Sequence, residues 1–219
     1  MKKLSFFLIH LIVLTGCSSV NNTENKATGD QVKTIDQTEK NQNVKKDVYM
    51  PNPQITDDIN LETVGETATD DKGELTLKSY KRINKTVNIG GVEMVLKEVK
   101  LMHFVPDYSM IDFFHSYTHE EEFDFLKVGI EVKNKSDENK KFTPVAFVKT
   151  SNGELKTWED DIFLEELNGE IQSNSVKKGN MGFILENTSD IKSIEFLTSD
   201  VLNNVDESVE KAKTIKVDI

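Results

Sequence analysis

The chain has 219 residues, with 38 Asp and Glu against 27 Lys and Arg, a formal net charge of −11 and one cysteine. So acidic a chain repels phosphate backbones and anionic lipid headgroups, which argues against nucleic acid as a partner and favours basic proteins, peptides or divalent cations. A lone cysteine excludes any disulfide within the chain, and the length suits one ordinary domain plus a tail.

The N-terminus opens with the charged Met1-Lys2-Lys3 and continues into an apolar run from Leu4 to Leu14, broken by Ser5 and His10. Eleven residues are too few to span a bilayer, which takes about 20. The run therefore reads as the core of an export signal. Leu14-Thr15-Gly16-Cys17 closes it and resembles the lipobox of bacterial lipoproteins. That resemblance implies cleavage between Gly16 and Cys17, removal of residues 1–16 as a signal peptide, and a diacylglyceryl thioether on the Cys17 sulfur. Two acyl chains at about 0.8 kcal/mol per buried CH₂ hold a protein stably on a membrane. The expectation is a chain anchored by lipid at the extracellular face of the cell membrane, with no cofactor beyond that covalent lipid.

From Ser18 to Val48 the sequence is rich in Asn, Thr, Gln, Lys, Asp and Glu and has no aromatic residue. Such a segment buries too little apolar surface to offset its ordering entropy. Polar sequence continues past Tyr49-Met50-Pro51-Asn52-Pro53, through Asp57-Asp58 and Asp70-Asp71, to Lys72. Residues 17–72 are thus expected to be a lipidated cysteine and flexible tether, and residues 73–219 the folded domain. A coil of about 50 residues reaches roughly 40 Å on average.

Beyond Gly73 the pattern turns to strands. Ile89-Gly90-Gly91-Val92 marks a tight turn between two apolar alternating runs, and Met94, Leu96 and Val99, Leu101 change phase at Lys97-Glu98, which predicts a bulge. Met110, Ile111, Phe113 and Phe114 follow Pro106-Asp107 and predict a short helix capped near Asp107 or Ser109, inserted after the first long strand. Leu126, Val128, Ile130 and Val132 alternate without fault and predict a half-buried strand turning at Asn134 to Asp137. Phe142 to Thr150 reads as one strand, Asn152-Gly153 as a hairpin turn with Glu154 to Trp158 returning, and Asp160 to Leu167 as a helical turn. Met181 to Leu185, Ile191 to Leu197 and Thr214 to Ile219 supply further strands, with Ser199 to Lys211 a loop carrying a helical turn. Seven or eight short strands separated by turn signals predict an all-β antiparallel sandwich with minor helix.

The run from Phe125 to Ser136, the Asn152-Gly153 turn and the run from Lys178 to Leu185 resemble the immunoglobulin-like domains of unknown function on Firmicutes lipoproteins, similar to the fold of a mycobacterial secreted immunoprotective antigen. The likeness spans roughly residues 85 to 198. It implies an immunoglobulin-like β-sandwich held by packing alone, since the cysteine pair of immunoglobulins is absent. It carries over no catalytic residue.

Candidate chemistry is sparse. His115 and His119 lie four apart and would share one face of a helix, and with Glu120 and Glu122 they form a workable metal set, although the HExxH order is missing. Glu159-Asp160-Asp161 and Glu165-Glu166 offer oxygen ligands without the spacing of an EF-hand. There is no nucleophile elbow, and a lipidated Cys17 is spent as a thiol. Phe113, Phe114, Phe123 and Phe125 are expected in the core. The expected role is a non-enzymatic binding module of the cell envelope, engaging a protein or cell-wall partner, with a solute- or metal-binding accessory role as the alternative.

Overall fold

The computed structural model describes residues 49–219, which form one compact unit. Gly16, Cys17 and the polar segment to residue 48 lie outside the described residues. Strands β1 (Thr67–Asp70), β2 (Gly73–Ile89), β3 (Val92–Pro106), β4 (Phe123–Asn134) and β9 (Val176–Leu185) form a five-stranded antiparallel sheet in the order β1-β2-β3-β4-β9. Two four-stranded sheets complete the domain. One joins β6 (Phe147–Thr150), β7 (Leu155–Thr157), β10 (Ser193–Leu197) and β13 (Thr214–Asp218) in the order β13-β10-β6-β7. The other joins β5 (Lys140–Phe142), β8 (Gly169–Ile171), β11 (Val201–Leu202) and β12 (Ser208–Glu210) in the order β12-β11-β5-β8.

The result is an all-β sandwich. Met94, Leu96, Val99 and Leu101 of β3 and Leu126, Val128, Ile130 and Val132 of β4 meet Val148, Ile194, Phe196 and Ile215 of the facing strands in one buried core. Alternation alone would send Val99 and Leu101 to the other face from Met94 and Leu96. The register shift between Leu96 and Glu98 corrects this, as the phase change predicts.

A second core covers the opposite face of the same sheet. Leu75, Leu77, Met102, Phe104, Phe123, Phe125 and Ile184 pack there against Phe114 of the short helix α1 (Ile111–Phe114), Ile162 and Phe163 of a loop, and Ile55 and Leu61. Asp107 caps the preceding turn by accepting from the Ser109 amide at 3.0 Å. The aromatic cluster forms as expected, edge to face around Phe104, with Phe113 only partly buried.

Five expectations need correcting. The tether does not extend to residue 72, because Ile55, Thr56, Asp58 and Leu61 are buried and residues 52–61 lie as a strap on the sheet. The strap's Asp58 bonds Lys100 at 2.8 Å and Lys127 at 2.7 Å, both buried lysines of the sheet. Its polar composition hides two apolar anchors and one ionic one. Phe142 to Thr150 is split into β5 and β6, which belong to different sheets, at Pro144, which has no amide hydrogen for a ladder. Of Asp160 to Leu167, only Asp160 is helical, closing a 3-10 turn over Trp158–Asp160, and residues 161–167 are irregular, with Leu164 and Glu166 at φ of 55° and 50°. Ser199 to Lys211 holds the short β11 and β12 in place of a helix. The strand β4 is also more than half buried, since Lys127 at 6% exposure, Phe123 and Phe125 face the second core.

Candidate functional site

His103 on β3 and Asp124 on β4 are direct cross-strand partners. Alternation puts them in the same phase as Leu101 and Leu126, so they continue the core-facing rows. Here a cleft of about 780 Å³ opens, lined by His103, Asp124 and Lys78 from the sheet, Tyr117 to Glu120 and Glu122 from the segment after α1, Ile184 to Glu186 from the end of β9, and Lys156 from β7. Side chains from rigid strands form its floor, and the helical insertion supplies one wall.

Asp124 is the electrostatic centre. It accepts from His103 Nδ1 at 2.9 Å, from Thr188 Oγ1 at 2.5 Å and from Lys78 Nζ. Partial burial works against its charge, but the bonds from Lys78, Thr188 and His103 prevail and hold the carboxyl below the usual range. An ionised carboxylate only accepts, so Nδ1 of His103 carries the hydrogen. Nε2 is then turned to the cleft, 3.7 Å from Glu122 Oε2. The arrangement offers a fixed imidazole nitrogen beside exposed carboxylates, which suits recognition of a polar ligand. Among the described residues, His103 contacts the carboxylates of Asp124 and Glu122 and no hydroxyl or thiol.

No family model matches the chain. It is 43% identical over 234 aligned positions to the "Uncharacterized protein YdhF" of Bacillus subtilis (strain 168), covering 99% of both chains. The chain belongs to the YdhF family. A solved structure of a functionally unknown protein from Listeria monocytogenes EGD-e is similar at a TM-score of 0.48 and 11% identity, over 67% of this chain and 87% of that one. At that level of likeness nothing further about this chain follows from it.

In this YdhF-family chain the four metal candidates divide. His119, Glu120 and Glu122 line the cleft, whereas His115 does not and lies beside His119 with ring centroids 6.4 Å apart and the rings tilted at 59°. Among the described residues no three His, Cys, Asp or Glu side chains gather into a group that could hold a metal ion. The helix ends at Phe114, so the i, i+4 relation invoked for His115 and His119 has no helix to act on. Sequence does not single out His103, because it is one of five polar residues, with Glu93, Lys97, Glu98 and Lys100, scattered along β3. The signal was its phase, since a histidine in a core-facing row must find a partner.

The other acidic runs serve the backbone. Asp161 Oδ1 accepts from the amides of Gly182 at 2.8 Å and Phe163 at 3.0 Å, and Glu165 Oε2 accepts from the Asn180 amide at 2.8 Å. These carboxylates cap the outer edge of β9, where open amides would invite another strand. Gly182 makes the close approach feasible, because a Cβ there would lie 2.4 Å from the Phe163 ring.

Proposed function

We propose that this YdhF-family protein is a membrane-anchored envelope lipoprotein, lipidated at Cys17 after cleavage behind Gly16, whose immunoglobulin-like β-sandwich is an extracellular, non-catalytic binding module. The observation that supports this reading best is the open polar cleft around His103, Asp124 and Glu122, built on paired strands. Its occupant would be a protein segment or a cell-wall component reached from the tether. The lipobox resemblance supports the anchor, and the acidic surface argues against nucleic acid. The test places a photo-crosslinking residue at Thr118, on the cleft, and separately at Val209, an exposed residue on β12. In intact cells, Thr118 is expected to give a discrete adduct that Val209 does not. Absence of an adduct at Thr118, or the same adducts at both positions, removes the reading.

The accessory solute- or metal-binding role is favoured by one observation, the 2.9 Å contact between Asp124 and His103 Nδ1. A carboxylate on one ring nitrogen is how metal-binding imidazoles are commonly oriented. His103 and Glu122 would supply two ligands, and His119 or Glu120 would have to close in for a third. Calorimetry with zinc and calcium chloride decides this: no binding heat between micromolar and millimolar metal eliminates the role.

A further inference from the structure

The outer face of the β13-β10-β6-β7 sheet is exposed, and its side chains stand in register. Phe147 is paired across the ladder with Leu197, and Lys149 with Glu195. Leu155 on β7 pairs with Lys149, and Lys216 on β13 pairs with Glu195. Phe147 is 40% and Leu155 57% exposed, and with Leu197 and Thr214 they line a shallow, mostly apolar cleft of about 320 Å³. In a chain of formal charge −11, this face carries two lysines and one glutamate among those paired residues. Lys216 approaches Glu195 at 3.6 Å, whereas Lys149 makes no ion pair among the described residues.

We propose that this face is a homodimer interface, formed with a second copy of the same chain around a two-fold axis parallel to the strands and lying between β10 and β6. Such an axis carries β10 of one copy over β6 of the other while keeping each residue at its own level along the strand. Because Glu195 and Lys149 share one level and Leu197 and Phe147 another, the operation sets Glu195 of each copy over Lys149 of the other, and Leu197 over Phe147. The two central contacts are then each matched twice, apolar on apolar and opposite charge on opposite charge, while at the outer strands Lys216 of each copy lies over Leu155 of the other, where its aliphatic stem can pack. The partner is a second copy because the charge pattern complements itself about that axis, and because this face lacks the acidic excess that makes two copies repel elsewhere.

Strength follows from area. Four strands about 4.8 Å apart, with about 3.4 Å per residue, present roughly 300 Å² per copy. Stable interfaces bury about 800 Å² per partner. The dimer is therefore weak in free solution and gains population where copies are concentrated, as on a shared membrane surface.

The test is sedimentation equilibrium of the chain from Ser18 onward at concentrations up to about 1 mM, a range chosen for a weak interface. Reversible dimerisation is expected. Lys149→Glu alone, and Glu195→Lys alone, each place like charges face to face twice and should weaken association at least about tenfold. The double variant restores opposite charges at both contacts and should return to within about threefold of the original. Thermal unfolding at high dilution checks that all three variants fold. A chain that stays monomeric throughout overturns the proposal. So does a dimer indifferent to the single changes, or single-variant losses that the double variant does not recover.

Discussion

Lys100 and Lys127 stand directly opposite one another on β3 and β4, both buried, and share the single carboxylate of Asp58. Like charges in register repel, and burial magnifies the cost. The Asp58 backbone carbonyl adds a bond to Lys100 at 2.7 Å, Glu98 lies 3.9 Å from both ammonium groups, and the Tyr80 and Phe163 rings flank them. The strap is therefore an ionic keystone as much as an apolar cover.

Removing that keystone should be costly. Asp58→Ala leaves two buried ammonium groups without their main partner, and a loss of about 3–5 kcal/mol in urea unfolding is expected. Replacing Asp58, Lys100 and Lys127 together by apolar residues of similar size should cost much less. Burial opposes the Asp58 charge, but Lys127 and Lys100 outweigh it and hold its carboxyl below the ordinary 3.8. Its contribution is thus present above the unfolded value and lost as pH falls through the lower folded value, so acid unfolding below about pH 4 should be blunted in the apolar triple variant.

Asp161 has the opposite sign. Burial pushes its carboxyl up to about 6, against the bonds from the Gly182, Phe163 and Leu164 amides. The folded state then holds the proton more tightly than the unfolded chain does. Its stabilisation is complete below the ordinary 3.8 and lost as pH rises through about 6. Asp161→Asn keeps an acceptor oxygen and cannot ionise, so the variant should gain about 1–3 kcal/mol over the native chain at pH 7 relative to pH 4. Equal pH profiles from guanidinium titrations would show that Asp161 does not titrate in this range.

The β9 edge depends on Gly182. Gly182→Ala drives a methyl group into the Phe163 ring and lifts the loop that carries Asp161 and Glu165. A loss of about 1–3 kcal/mol in thermal or chemical unfolding is expected. Faster exchange of the Asn180 and Gly182 amides should accompany it, because those amides donate to the loop carboxylates.

Anchoring is tested at Cys17. Cys17→Ser should release the domain, still folded, into the medium of the cells that make it. Membrane fractionation showing undiminished retention would remove the lipid anchor from the proposed function.

Much of the scaffold was legible in sequence because strand periodicity is local. The turn at Gly90-Gly91, the bulge at Lys97-Glu98, the strand through Leu126 to Val132 and the Asn152-Gly153 hairpin all rest on neighbours a few residues apart, and all are found. The site was less legible. Glu120 and Glu122 announce themselves as charges, but His103 and Asp124 are 21 residues apart and become partners only when β3 and β4 pair. The strap is illegible in sequence for the same reason, because Asp58 finds Lys100 and Lys127 at separations of 42 and 69 residues.

Sequence by itself determined the all-β sandwich, the position of the helical insertion and the expectation of an exported, lipid-anchored chain, since those follow from periodicity, capping and a contiguous motif. Only the tertiary structure decided that residues 52–61 belong to the domain, that the acidic loop caps β9, and that His103 rather than His115 faces the cleft. The physical reason is that a charge in sequence is free, whereas a charge in a fold takes its meaning from whatever the strand register sets beside it.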